Sequence, residues 1–311
     1  MLRRPTAIKL LLAERTGEAA LQRFEREVQL TARLTHPNTV SIFDYGRSLD
    51  GVFYFAMELL DGVDLERLVG EHGPLPPERV VHVLRQVCGA LAEAHATGLV
   101  HRDVKPANVI LVARGGEADV AKVVDFGLVK ELEVSGDVAL TGRSAILGTP
   151  LYLSPEAIVS PGSVDAQTDI YALGAVGWFL LAGRPVFDSD NVLTVCSHQL
   201  SSIPQRPSAR LGKALPSDLE DVLLRCLDKD RNTRPAGARS LRDALDACEC
   251  AGRWTEARAA AWWAEFGAAQ AAATGRRSGA PHSLAVDLSV RETVAATVPA
   301  ARLPVAGAPV V

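Results

Sequence analysis

The chain has 311 residues, room for about two domains or lobes at roughly 150 residues each. Hydrophobic residues at 48% and charged residues at 23% suffice for a folded core, and 33 Lys+Arg against 37 Asp+Glu, a formal net charge of −4, argues against a basic surface for nucleic acid. The five cysteines (Cys88, Cys196, Cys226, Cys248 and Cys250) lack a repeated CxxC spacing, which speaks against a disulfide scaffold or a zinc ribbon and for reduced thiols in the cytoplasm.

Arg3 and Arg4 precede a short apolar stretch from Ile8, but Lys9 interrupts it. The segment therefore reads as a β-strand over residues 6–12, with Ala7, Lys9 and Leu11 on one face, and not as a signal peptide. A helix is expected from about Glu18 to Leu34, with Ala20, Phe24, Glu27, Thr31 and Leu34 on one face, so that one carboxylate lies on the apolar side. His36-Pro37-Asn38 ends it. Val40 to Tyr45 and Val52 to Leu59 read as strands around a turn at Asp50-Gly51. After Gly62 the character changes, and Pro76 to Thr97 reads as a long helix with Val80, Val83, Leu84, Val87 and Leu91 on its inner stripe. Short strands and loops follow to Val129, with Gly115-Gly116 as a turn, then a polar loop from Lys130 to about Pro150. Asp169 to Gly183 is apolar all round and is expected to be buried. The longest apolar run, Ala172 to Gly183, is too short for a bilayer, so no membrane span is expected.

Further helices reach about Cys248, giving divisions at 1–60, 61–250 and 251–311. The last division reads as an Ala-rich helix around Arg253 to Ala273 followed by a disordered tail. It holds three of the four tryptophans, and Trp254, Trp262 and Phe266 share one side of the helix, which suits docking in cis on the large helical part.

Chemistry concentrates in His101-Arg102-Asp103-Val104-Lys105-Pro106-Ala107-Asn108, then in Asp125-Phe126-Gly127 after a short strand. One tight loop thus carries a carboxylate, an ammonium and an amide, and a second carboxylate follows. Phosphoryl transfer needs such a set: a group to orient the hydroxyl, cationic charge for the phosphates and oxygen ligands for Mg²⁺. Mg²⁺ takes one or two carboxylates along with phosphate oxygens and water, so Asp125 and Asn108 suffice on the protein side.

These residues occur with Thr6-Ala7-Ile8-Lys9 on a strand, Glu27 on the next helix, Gly148-Thr149-Pro150 through Ser154-Pro155-Glu156, Asp169-Ile170-Tyr171-Ala172-Leu173-Gly174, and Arg234-Pro235. Together, over about residues 5–248, they resemble the eukaryotic-type (Hanks-type) serine/threonine protein kinases of bacteria. The resemblance implies an α+β, two-lobed protein-kinase-like fold with a truncated N-terminal β-sheet lobe and a mainly helical C-terminal lobe. It implies ATP and Mg²⁺ as cofactors and protein Ser or Thr hydroxyls as acceptors of the γ-phosphoryl group. Lys9 would hold the α- and β-phosphates and pair with Glu27. Asp103 would accept or orient the hydroxyl proton, Lys105 would sit by the γ-phosphate, and Asn108 and Asp125 would bind Mg²⁺. Met57 would be the gatekeeper, the backbone of Glu58 and Leu60 would meet adenine, and Asp64 would reach the ribose. Glu156 and Arg234 would brace the substrate-binding segment, Asp169 would hold the catalytic loop, and His101 would be packed and structural. Arg102 implies receipt of a phosphate, with Thr141 and Ser144 as autophosphorylation sites and Thr149 beside Asp103 and Lys105.

One family feature is missing from the sequence. No G-x-G-x-x-G precedes Lys9, and Met1 lies only eight residues before it. Backbone N–H groups over the phosphates would then be lacking, which implies weak Mg-ATP binding by the chain as written. Three readings follow: a true start upstream of Met1, a genuine short form of weak activity, or a kinase-like binding protein without catalysis. The intact Lys9, Glu27, Asp103, Asn108 and Asp125 favour the first. A small-molecule phosphotransferase is a further rival, against which Lys105, the long segment to Glu156 and Arg234 weigh.

Overall fold

The computed structural model describes residues 5–11, 18–48, 52–126 and 150–274. The first strand, β1 (Thr6–Leu11), pairs antiparallel with β3 (Phe53–Glu58), which places Lys9 opposite Phe55. β2 (Ile42–Arg47) pairs with the other side of β3, so the sheet order is β1-β3-β2. Between β1 and β2 lies helix α1 (Glu18–Ala32). It stops two residues short of Leu34, because the N–H groups of Arg33 and Leu34 tighten onto the carbonyls of Leu30 and Thr31, a closing turn of i→i−3 type. Leu34 is still buried, as are Val28 and Thr31.

A second antiparallel sheet, order β4-β5-β6, is built from β4 (Gly62–Asp64), β5 (Val109–Arg114) and β6 (Glu117–Val123). Gly115 and Gly116, at φ 64° and 89°, turn β5 into β6, as a two-residue hairpin of positive φ requires. Helices α2 (Leu65–His72) and α3 (Pro77–Ala96) come between β4 and β5. The sequence reading missed α2, whose N-cap is Asp64. Its aspartate oxygen accepts from the Arg67 N–H at 2.8 Å, an ordinary N-cap bond.

The two sheets are joined through residues 36–40. The Glu93 carboxylate on α3 takes the N–H groups of Thr35 and His36 and the Thr35 hydroxyl. Beyond them, Val123 N–H donates to Asn38 O and Val40 N–H to Val123 O.

The remaining helices are α4 (Pro155–Val159), α5 (Ala166–Ala182), α6 (Val192–Ser201), α7 (Pro207–Leu211), α8 (Ser217–Cys226), α9 (Ala238–Asp246) and α10 (Glu256–Thr274). α5 starts three residues ahead of Asp169 because the Asp165 side chain caps it at Gln167 N–H. From Thr168 to Ala182 every residue of α5 is buried, so its all-round apolar character reflects a central place in the core. α8 crosses it at Gly174, where a Cβ would stand 2.4 Å from the Cys226 Cβ. Gly174→Ala is therefore expected to cost about 1–3 kcal/mol by forcing the two helices apart. An unchanged denaturation midpoint would contradict that close crossing. Among the described residues no helix is long and apolar enough to cross a membrane.

The Trp-rich segment docks in cis. Arg79 of α3 and Asp119 of β6, both buried, form a two-pronged ion pair at 2.8 Å on each prong. The indole N–H groups of Trp254 and Trp263 donate to the same carboxylate at 2.8 and 2.6 Å. The Arg79 guanidinium lies 4.0 Å from the Trp262 ring centroid and 5.0 Å from that of Trp254, within cation–π range.

Candidate active site

The segment after α3 is suspended from Asp169 on the buried helix α5. The Asp169 carboxylate accepts from the backbone N–H groups of His101 (2.8 Å) and Arg102 (2.9 Å), and lies 2.8 Å from His95 Nε2. Arg102 has φ 63°, a left-handed conformation that costs a side-chain-bearing residue about 1–2 kcal/mol, and these bonds hold it there. His101 is fully buried, with Nε2 3.0 Å from Val124 O and its ring 4.5 Å from that of Phe126. Its Nδ1 accepts from the Asp103 N–H, so the proton belongs on Nε2. Burial lowers the His101 pKa and keeps the ring neutral, with both nitrogens engaged in holding the loop.

The loop tightens into a short 3₁₀ turn at Pro106–Asn108. That turn brings the Asn108 amide N–H to Asp103, at 2.8 Å from its carbonyl and 3.0 Å from its carboxylate. Lys105 Nζ stands 2.8 Å from the same Asp103 oxygen, Oδ2. Val124 N–H donates to Asn108 O at 3.0 Å, which anchors the end of β6 beside this turn. Asp125 follows at φ 57°, a second left-handed residue at the site. Its Oδ1 is 2.8 Å from Lys9 Nζ. That contact is ionic in geometry, since the oxygen accepts no hydrogen bond among the described residues.

The expected pairing of Lys9 with Glu27 is not the one observed. Arg102 Nη1 reaches Glu27 at 3.4 Å, and Lys9 is paired with Asp125. Two carboxylates compete for cations here, and the guanidinium of the left-handed Arg102 is the one directed at α1, which places the Lys9 ammonium with Asp125.

At the end of β3, Met57 is half-buried between Ala7 of β1 and Ile42 of β2. The Glu58 N–H donates to Ser41 O at 3.0 Å, so any share it takes in holding a base falls to its carbonyl. Its side chain is buried and receives Lys122 Nζ at 2.7 Å, the Ser41 N–H at 2.9 Å, and Arg114. Burial alone would raise the Glu58 carboxyl pKa; the Lys122, Ser41 and Arg114 hydrogen bonds outweigh it and hold the group below the usual carboxylate range. Sequence reasoning missed Lys122. Its signal is a lone lysine in the apolar run Val120-Ala121-Lys122-Val123-Val124, where a buried charge needs a partner. Asp64, expected at the ribose, is engaged as the cap of α2, and Leu60 lies between β3 and β4.

Glu156 and Arg234 form the expected brace. Two guanidinium bonds of 2.7 and 2.9 Å reach the carboxylate, and two more reach the carbonyls of Gln167 and Asp228. Gly127, Thr141, Ser144 and Thr149 lie outside the described residues.

Burial lowers the pKa of His36, His82 and His101 below the ordinary 6.5. The unfolded chain binds these protons more readily than the folded one, so stability falls with acid already through the histidine range. Glu58, Glu93 and Glu156 are held below their ordinary 4.5, and their contribution is lost on further acidification through and below that range. The melting temperature should accordingly drop between about pH 7 and pH 5, and again below about pH 4.5. A flat melting temperature across the first interval would refute the lowered proton affinity of the three histidines.

The buried aspartate on the central helix, the loop it suspends and the carboxylate at the end of β6 define the site. The protein kinase domain model matches residues 2–246. The chain belongs to the protein kinase family. Over 245 residues it is 37% identical to the serine/threonine-protein kinase PknB of Mycobacterium tuberculosis, a match covering 78% of this chain and 38% of that protein. Over 241 residues it is 41% identical to the serine/threonine-protein kinase Pkn1 of Myxococcus xanthus, covering 77% and 34%. The chain thus spans about two fifths or less of the length of these curated relatives. The crystal structure of the Mycobacterium tuberculosis PknI kinase domain superposes with a TM-score of 0.60 at 30% identity, covering 78% of this chain and 84% of that one. The two sheets with their helical mass are therefore the two-lobed protein kinase fold, and the segment from Cys248 onward lies beyond the family match.

Proposed function

We propose that the chain is a serine/threonine protein kinase that transfers the γ-phosphoryl group of ATP to protein hydroxyls. The observation that carries this reading is the linked set Lys105–Asp103–Asn108 on one turn, joined through Val124 to Asp125 and Lys9. The donor chemistry fits Mg²⁺. Asn108 turns its amide N–H to Asp103, so its oxygen is the coordinating atom, and the Asp125 Oδ1 accepts no hydrogen bond among the described residues. Bound Mg²⁺ would neutralise phosphate charge, with Asn108 and Asp125 as its protein ligands.

The remaining work falls to the chain's own groups. Asp103 orients the incoming hydroxyl and takes its proton. Lys105 keeps a positive charge beside that carboxylate, and in the nucleotide-bound site its ammonium serves the transferring phosphate. Lys9 exchanges its contact with Asp125 for the α- and β-phosphates. Met57, the Glu58 carbonyl and the Leu60 backbone border the base, while Glu27 holds Arg102. Arg102 receives phosphate placed on Thr141 or Ser144 by autophosphorylation. The five free, buried cysteines suit a reducing, cytoplasmic setting.

The test is Mg²⁺-dependent transfer of labelled γ-phosphate to a general protein substrate and, in parallel, to an aminoglycoside. Label on serine or threonine of the protein supports the proposal. Label on the aminoglycoside alone would move the chain to the small-molecule phosphotransferases. Nucleotide binding without transfer would make it a binding module.

A further inference from the structure

The buried Asp119 carboxylate accepts four hydrogen bonds, and it sits in an irregular stretch of sheet. In the β5–β6 ladder Val112 faces Val120 and Arg114 faces Glu117, so Ala118 and Asp119 together oppose Ala113. This is a bulge, one extra residue on β6, and Asp119 takes it up at φ 57°. A non-glycine residue in that conformation relaxes unless its surroundings hold it. Here the Asp119 carboxylate is held by Arg79 and by the indoles of Trp254 and Trp263, and its carbonyl by Gln86 Nε2 at 2.8 Å.

Asp125 lies six residues further along the same strand and its continuation. Closing the bulge would slide β6 by one residue against β5, and a one-residue slip turns every side chain to the opposite face. Lys122 would leave Glu58, and Asp125 would leave Lys9. Two of the four side-chain donors that hold the bulge, Trp254 and Trp263, come from beyond the residues that match the kinase family.

We propose that Trp254 and Trp263 are positioning residues for Asp125, acting through the bulged Asp119 to fix the register of β6. The C-terminal segment is on this account a working part of the metal-binding geometry, added outside the family domain. Its own seat is broad. Arg258 pairs with Glu78 at 2.7 Å, and His72 of α2 packs edge-on against Trp262 and Phe266.

The test uses the full chain carrying Trp254→Phe and Trp263→Phe, which keep an aromatic ring and remove the N–H donors. Val195→Ala on α6 serves as a control, since it empties buried space on a helix that does not carry the Asp119 bulge or its donors. The first readout is amide hydrogen exchange over residues 120–126, which needs no nucleotide. Exchange there is expected to rise about tenfold or more over the control. The second is the Mg²⁺ concentration giving half-maximal ATP binding, expected to rise about 3- to 10-fold in the tryptophan variants and not in the control. This arm rests on the kinase reading. If the native chain binds no Mg-ATP, that reading fails and exchange alone decides the present one. Exchange over 120–126 that rises no more than in Val195→Ala overturns the proposal, as does an unchanged Mg²⁺ requirement in a chain that binds ATP. Should the double variant fail to fold, Arg258→Met, which loosens the same segment from outside, is judged by the same two outcomes.

Discussion

Asp103→Asn is expected to lower phosphate transfer by roughly 10²- to 10⁴-fold, the range that a positioned general base contributes. The substitution keeps the size of the side chain, and its backbone anchors to Asn108 and His101 are untouched. What is lost is the acceptor for a hydroxyl proton. The new amide also presents N–H groups toward Lys105 Nζ, which now stands 2.8 Å from a carboxylate oxygen. Because the group is partly exposed, the melting temperature should move little, which separates a chemical defect from a folding one. Steady-state transfer rates with the labelled nucleotide measure the effect. A variant within about threefold of the native rate would remove Asp103 from the chemistry, and with it the proposed reaction.

Arg234→Met is expected to destabilise the large lobe by about 3–5 kcal/mol, the loss typical of breaking a buried ion pair on one side. The guanidinium is wholly buried, and it donates to both oxygens of Glu156 along with two backbone carbonyls, while the Thr168 hydroxyl adds one bond of 3.2 Å to the carboxylate. Its removal takes from the carboxylate the main partner that favours its ionisation against burial, leaving the Glu156 backbone N–H and the Ser154 side chain. Arg234→Met combined with Glu156→Leu should recover much of the loss, because an apolar pair of similar volume leaves no charge behind. Chemical denaturation of the two variants decides it. Equal losses in the single and the double would mean that packing, and not charge, dominates at this brace.

The contrast between these residues and others shows what the sequence carries. Asp103, Lys105, Asn108 and Asp125 were legible because short spacing forces them together on one turn and the strand after it. The Arg234–Glu156 pair, 78 residues apart, was legible only through the family resemblance. Lys9 pairs with Asp125 and Glu27 with Arg102, an arrangement beyond the reach of a sequence, which shows which charges exist and not which cation meets which carboxylate. Here the left-handed backbone at Arg102 decides it, and no spacing rule announces that conformation. Asp64 also caps a short amphipathic helix, a role that its place ahead of Leu65 makes readable once the helix is known. Asp119 drew no notice at all. After two glycines it reads as an ordinary exposed hairpin residue, and the four N–H groups on its carboxylate come from positions 79, 254 and 263.

All five cysteines are unpaired and buried in the folded chain, and burial raises the pKa of each thiol, that of Cys226 and of Cys248 to about 12. Alkylating reagents attack thiolates, so each sulfur stays silent until its own neighbourhood opens. Cys88 and Cys226 lie under the central helices, whereas Cys248 and Cys250 lie where the family domain hands over to the Trp-rich segment. The order in which the five become labelled is thus a native clock for partial opening, able to tell a tail that lifts away from a lobe that melts.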